Sequence, residues 1–184
     1  LMRALFELGA QYSAQELSYR KILGQLDGKG NTDTIKHYLN LLSGAGMISG
    51  LQKFDDKPIK AKASSPRLMV HDPALMTSMW HGKGSLLEDP DLYGHLVETA
   101  VGAYLIARSA IDGFDLYWWR EGDLEVDCVL RRARNITAIE VTSGRVSKSG
   151  MGAFCKTYPK ASPIIVGDRN TPLEDFLRGK VPLF

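Results

Sequence analysis

The sequence has little cysteine and no long apolar run. Two cysteines, Cys128 and Cys155, in 184 residues cannot build a disulfide framework or a structural zinc site. Both are expected to be reduced and buried, as in a cytoplasmic protein. No apolar stretch approaches the roughly 18 residues of a membrane-spanning helix. The longest, 100–107, reads as a core helix, so no membrane partner is expected. The opening residues, Leu1-Met2-Arg3-Ala4-Leu5-Phe6, lack the charged start and cleavage site of a signal peptide. They begin inside an amphipathic pattern, as a fragment of a longer chain would. A P-loop is also missing. Gly28-Lys29-Gly30-Asn31-Thr32 and Gly82-Lys83-Gly84-Ser85 lack the spacing and adjoining hydroxyl of G-x-x-x-x-G-K-[ST], so no ATP site is expected. His71, His81 and His95 show no metal-ligand spacing, and there is no internal repeat or low-complexity tract.

What is present is ordinary globular usage, 44% hydrophobic and 24% charged. The formal net charge of +2 conceals an acidic window, 88–127, between basic flanks. A carboxylate cluster stabilised by a cation is one way to account for such a window. The N-terminal third reads as three helices. The first covers 1–8. Ser13 and Glu16 form a capping-box pattern that opens a second over about 14–26. Asn31 or Thr32 caps a third over about 33–43, with Ile35, Tyr38, Leu39 and Leu42 on one face. A strand pair follows, the shape of a winged helix-turn-helix over 1–63. Its wing, 51–69, carries Lys53, Lys57, Lys60, Lys62 and Arg67 around Asp55-Asp56. Lys36 and His37 lie on the presumed recognition helix. The remainder, 64–184, reads as a short helix at 73–80 and then α-β-β-β-α-β: helix 91–110, strands 116–120, 125–130 and 136–141, helix 149–157, and strand 163–166. A last helical turn covers 173–178. This is an α/β layer arrangement.

Three acids stand out by their neighbours. Glu140 lies mid-strand in Ile136-Thr137-Ala138-Ile139-Glu140-Val141-Thr142, alternating with Ile136, Ala138 and Thr142. Asp127 lies inside Val126-Asp127-Cys128-Val129-Leu130, where alternation puts Cys128 on the opposite face. Glu98 lies on the long helix among Leu96, Val97, Ala100 and Val101. A carboxylate in such company is costly unless something offsets it. Oxygen ligands of this kind suit Mg²⁺ or Mn²⁺. Alternatively, Asp127 and Glu140 form structural ion pairs with Arg120 or Arg131. Of Trp118 and Trp119, alternation sends one to the core and the other outward, where it could stack on bases. His95, one helical turn before Glu98, could line the same pocket.

Gly94-x-x-x-Glu98, Glu125-Val126-Asp127-Cys128-Val129-Leu130 and Ala138-Ile139-Glu140-Val141-Thr142-Ser143-Gly144, in this order, resemble the PD-(D/E)XK nuclease superfamily. More narrowly, the chain resembles the uncharacterised C-terminal domain of a prokaryotic family of AAA-type P-loop ATPases. In that family a winged helix follows the ATPase and precedes the nuclease-like fold. Thr34-Ile35-Lys36-His37-Tyr38-Leu39-Asn40-Leu41-Leu42, Ser65-Pro66-Arg67-Leu68-Met69-Val70-His71-Asp72 and Leu116-Tyr117-Trp118-Trp119-Arg120 extend the similarity over most of the chain.

The resemblance implies a restriction-endonuclease-like core over 64–184, with Glu98, Asp127 and Glu140 and the Val141 carbonyl holding Mg²⁺ or Mn²⁺. Such an ion would activate water against a DNA phosphodiester. Active members carry a lysine where this chain has Thr142, which implies weakened or lost hydrolysis. Arg145, Lys148 or Lys156 could supply the charge from elsewhere. The implied partners are DNA and the ATPase domain that would precede this region. Lys36, His37, Lys53, Arg67, Arg131 and Arg132 are the expected phosphate contacts. Two functions follow: a binding module without turnover that recognises nucleic acid or a protein partner, or an active divalent-metal-dependent DNA endonuclease or resolvase-like hydrolase. The winged helix has its own alternative, a packing module that docks the ATPase.

Overall fold

The computed structural model describes residues 1–26, 30–55, 64–80, 88–143, 150–169 and 171–184. Within them lie seven helices and six strands, α1 (Met2–Gln11), α2 (Tyr19–Gln25), α3 (Thr32–Gly44), β1 (Ile48–Lys53), β2 (Arg67–Val70), α4 (Pro73–Ser78), α5 (Pro90–Asp112), β3 (Asp115–Glu121), β4 (Leu124–Arg132), β5 (Asn135–Val141), α6 (Met151–Thr157), β6 (Ser162–Val166) and α7 (Leu173–Leu177). Local chemistry sets several of these bounds. The Asn31 side chain accepts from the Thr34 amide at 2.9 Å, and the Asp72 carboxylate from the Ala74 amide at 2.8 Å. Asp89 caps α5, Pro90 opens it, and Gly113 closes it in the left-handed region at φ 68°.

The second helix starts later than the capping-box pattern suggests. Ser18 caps it, accepting from the Lys21 amide at 3.2 Å. The chain turns at Ala14, which lies in the left-handed region at φ 64°, and then runs beside β2, with Ala14 N–H to Leu68 O at 2.8 Å and Leu17 N–H to Pro66 O at 3.1 Å. Ser13 is fully buried. Its hydroxyl oxygen accepts from the Val70 amide at 3.2 Å and from the Thr99 hydroxyl at 2.9 Å, tying α5 to the N-terminal segment. A tertiary demand for that hydroxyl overrides its local capping tendency.

The strands form one mixed sheet in the order β2-β1-β3-β4-β5-β6. The mixed α/β class is the expected one, but β1 and β2 do not stand apart as a wing. They pair antiparallel from Ile48↔Val70 to Leu51↔Arg67, and β1 joins β3 in parallel at Gln52↔Tyr117 and Lys53↔Trp118. The sheet therefore runs across the 63/64 division, because β1 and β2 lie on either side of it. Asp56, Lys57, Lys60 and Lys62 of the expected wing lie outside the described residues. So do both glycine-lysine turns in part or whole, and His81.

Helices cover both faces of the sheet. Val97, Val101 and Leu105 of α5, with Phe176 of α7, pack on Cys128, Leu130, Ile139 and Val141. On the other face, Met151 and Phe154 of α6 pack on Trp119, Val126, Val129 and Ala138. Two-sided cover corrects the reading of the tryptophan pair: Trp118 and Trp119 are 1% and 5% exposed, so neither is offered to a base. Cys128 is buried as expected, whereas Cys155 is only half-buried. No helix among the described residues is long and apolar enough to cross a membrane.

The seating of α6 depends on Gly150. Its amide donates to the Glu125 carbonyl at 2.9 Å, and a Cβ at this position would overlap the backbone of β4 at Glu125. Gly152, two residues on, faces open space. We expect Gly150→Ala to destabilise the fold by about 2–3 kcal/mol through overpacking. Gly152→Ala should stabilise it by about 0.5–1 kcal/mol through helix propensity. Urea unfolding of the two variants checks this; equal effects would remove the close approach as the cause.

Candidate functional site

A β-bulge shapes the candidate site. Tyr117 pairs with Val129 and Trp119 with Val126, so three steps along β4 match two along β3. Asp127 and Cys128 both fall opposite Trp118, and strict alternation is lost there. Val126 and Val129 consequently pack under α6, while Cys128 and Leu130 pack under α5. Simple alternation along the strand would instead put Val126, Cys128 and Leu130 on one face.

The released Asp127 side chain lies between three elements. Its Oδ2 accepts from the Val141 amide of β5 at 2.8 Å, and its Oδ1 meets Arg67 Nη1 of β2 at 3.2 Å. The other guanidinium nitrogen of Arg67 pairs with Glu125. Arg67 is only 3% exposed. It packs over the Trp118 ring at 5.5 Å, with Arg120 over the same ring at 5.8 Å. Arg120 in turn pairs with Glu125 and, at 2.6 Å, with Glu16. The cluster thus alternates in sign: Asp127, Arg67, Glu125, Arg120, Glu16. Arg67 Nε and Arg120 Nε are buried without a hydrogen-bond partner.

Burial raises the Asp127 pKa to about 6; the charge of Arg67 acts against this, and that of Glu98 adds to it. Burial, with Asp127 beside it, likewise pushes the Cys128 thiol up to about 12, so it stays protonated and unreactive. Glu98 extends from α5 within 3.4 Å of His95 Nδ1, as the one-turn spacing anticipates.

The three acids singled out in the sequence do not assemble alike. Glu98 and Asp127 interact electrostatically. Glu140 alternates with Ile136 and Ala138, the set that packs toward α6, on the side of the sheet away from α5. Among the described residues, no three histidine, cysteine, aspartate or glutamate side chains are grouped so as to hold a metal ion. Asp127 faces a guanidinium instead, so the donor set in this arrangement does not fit a divalent cation. Thr142 follows the end of β5, donates its amide to Val166 O at 2.8 Å, and lines a cavity of about 320 Å³ with Tyr93, Val97 and Asp168. Of the possible replacement cations, Lys156 is exposed in the last turn of α6. Arg145 and Lys148 lie outside the described residues.

The expected phosphate contacts divide in the same way. Arg67 is corrected outright: it is internal and neutralised, and no phosphate reaches it. Arg131 donates to the Tyr117 hydroxyl at 2.6 Å and pairs with Asp115 at 3.3 Å, rather than with Asp127 or Glu140. Arg132 sits 4.2 Å over the Phe184 ring. Lys36 and His37 are exposed on α3, with Lys36 stacked over Tyr19 at 5.2 Å, and Lys53 is half-buried. The ion-pair alternative is therefore realised for Asp127, but with Arg67, a partner absent from the sequence reading. A signal for it was present: Arg67 opens an otherwise apolar strand, the same anomaly that singles out Asp127.

Two families match the chain. Residues 93–180 match a domain of unknown function (DUF4143), and residues 1–86 match another domain of unknown function (DUF8612). Each match covers a separate part of the chain: β1, β2 and Arg67 fall within 1–86, and Glu125 and Asp127 within 93–180. No curated protein and no solved structure matches the chain.

Two outcomes follow from the cluster. Arg67→Met leaves Asp127 without its cation and Glu125 with Arg120 alone, and should cost about 3–5 kcal/mol in urea unfolding. Adding Glu125→Gln and Asp127→Asn should recover much of the loss. The second concerns pH. Folded Asp127, at about 6, holds its proton more tightly than an unfolded aspartate near 4. Its contribution to stability is fullest below about pH 4 and is lost as pH rises through about 6. The unfolding free energy of the native protein minus that of Asp127→Asn should decline across that window; a rising difference would reverse the assignment.

Proposed function

We propose that this chain is a C-terminal, non-hydrolytic binding module of an AAA-type ATPase, with a nuclease-like fold kept for recognition rather than cleavage. The buried Arg67 carries the proposal. A nuclease site of the resembled type needs its carboxylates free for a divalent ion, and here Asp127 and Glu125 neutralise a guanidinium of the chain itself. Thr142 supplies no charge where the resembled enzymes have lysine, which points the same way. The AAA-type affiliation rests on the resemblance of the sequence motifs.

The partner favoured is protein, first of all the ATPase portion. Of the six cations expected on phosphate, Arg67 is internal, while Arg131 and Arg132 are engaged with Asp115, Tyr117 and Phe184. Lys36, His37 and Lys53 give a small electrostatic footprint, enough for weak contact with DNA that fades with salt.

Supercoiled, linear and single-stranded DNA incubated with the protein and Mg²⁺ or Mn²⁺ should remain intact. Fluorescence anisotropy should detect only weak, sequence-independent binding at physiological salt. Metal-dependent nicking that Asp127→Ala abolishes would instead establish the endonuclease, with Glu98 and Asp127 as its ligands. Tight, sequence-dependent binding would make DNA the partner.

A further inference from the structure

Where β1 and β3 splay apart, outside the cluster just described, lies a cavity of about 700 Å³. The strands pair at only two positions, and β1 residues 49–51 and β3 residues 115–116 instead line this space with α3 and α5. Leu51, Ile106 and Leu116 give it an apolar floor. Lys36, Asn40 and Ser43, spaced i, i+4, i+7 on α3, give it a polar wall.

Two hydroxyls on this wall are joined to an imidazole. Ser43 Oγ lies 2.8 Å from Ser49 Oγ, and Ser49 Oγ lies 2.7 Å from His71 Nε2. Both serines line the cavity; His71 does not. His71 is held from behind by its backbone, whose amide donates to Met47 O at 3.0 Å. Partial burial lowers the pKa of His71 and keeps the ring neutral. A neutral imidazole with its proton on Nδ1 presents a lone pair at Nε2, the state in which histidine acts as a general base. Ser109 lines the same cavity, but its hydroxyl donates to the Ile106 carbonyl at 2.7 Å. Ser49 differs from it in having a base at hydrogen-bond distance on one side and the cavity on the other, the nucleophile-and-base arrangement of covalent catalysis.

We propose that Ser49 is a nucleophile activated by His71, and that the cavity takes a small uncharged ester. The Ser49 proton passes to His71 Nε2 as Oγ bonds to the ester carbonyl carbon. The tetrahedral adduct then collapses: the bond to the alkoxide breaks, and His71 returns the proton to the departing alcohol. Water releases the acyl group by the same steps in reverse. The Asn40 amide, about one helical turn before Ser43 on the same wall, is the donor this reading assigns to the oxygen that gains charge. The site does not depend on the binding function proposed above.

The test is covalent labelling of the full chain with a fluorophosphonate ester. Here Oγ–P forms, P–F breaks, fluoride leaves and the proton goes to His71. Peptide mapping should place the label on Ser49 and not on Ser109. The label should be absent in Ser49→Ala, and labelling should be slower by about tenfold or more in His71→Asn. Hydrolysis of p-nitrophenyl acetate should fall in parallel. Thermal unfolding establishes that the variants are folded, and the preference for Ser49 over Ser109 in the native protein needs no variant. Ser49 left unlabelled, or labelled equally fast in a folded His71→Asn, overturns the proposal.

Discussion

A guanidinium buried in a sheet is the constraint around which this molecule is built. Taking a guanidinium charge out of water is costly unless carboxylates accompany it. Glu125 and Asp127 are the direct partners. Arg120 and Glu16 extend the alternation toward the surface, where Arg120 is 42% exposed in its side chain. The five charges come from the segment before α2, from β2, from β3 and twice from β4. Trp118, flanked by both guanidinium groups, separates them from the core.

The bulge in β4 is what makes the cluster geometrically possible. An extra residue opposite Trp118 frees Asp127 from strict alternation and turns it toward both Arg67 and the Val141 amide. It also brings Asp127 within the influence of Glu98. The carboxylate is therefore pulled in two directions: burial and Glu98 favour its protonated form, Arg67 and Val141 its charged one. Charge compensation by the chain itself and coordination of an external ion are alternative uses of the same two oxygens, and this geometry takes the first.

Much of this was legible in the sequence, for identifiable reasons. The long α5 announced itself by its apolar period, and the strands from 115 to 141 by apolar runs separated by turns. Glu98, Asp127 and Glu140 were conspicuous because charge among apolar neighbours needs an explanation. The illegible parts are long-range. Ser13 looks like a cap until Val70 and Thr99 claim its hydroxyl. Alternation cannot foresee a bulge, although Cys128-Val129-Leu130 already breaks the alternating pattern. Whether a strand faces water on one side depends on what covers it, which is why both tryptophans are internal. Arg67 looked like a surface cation of a wing because its partners lie 58 and 60 residues further along the chain.

That separation has an evolutionary consequence. The guanidinium belongs to the part of the chain similar to one family, and the carboxylates that neutralise it belong to the part similar to another. Joined to an unrelated neighbour, the first part would carry the Arg67 charge into its sheet without Glu125 and Asp127. The two parts are therefore joined by charge as well as by the shared sheet. A change at position 67 in a relative should come with a matching change at 125 or 127, so the sign of one residue records the ancestry of the other half.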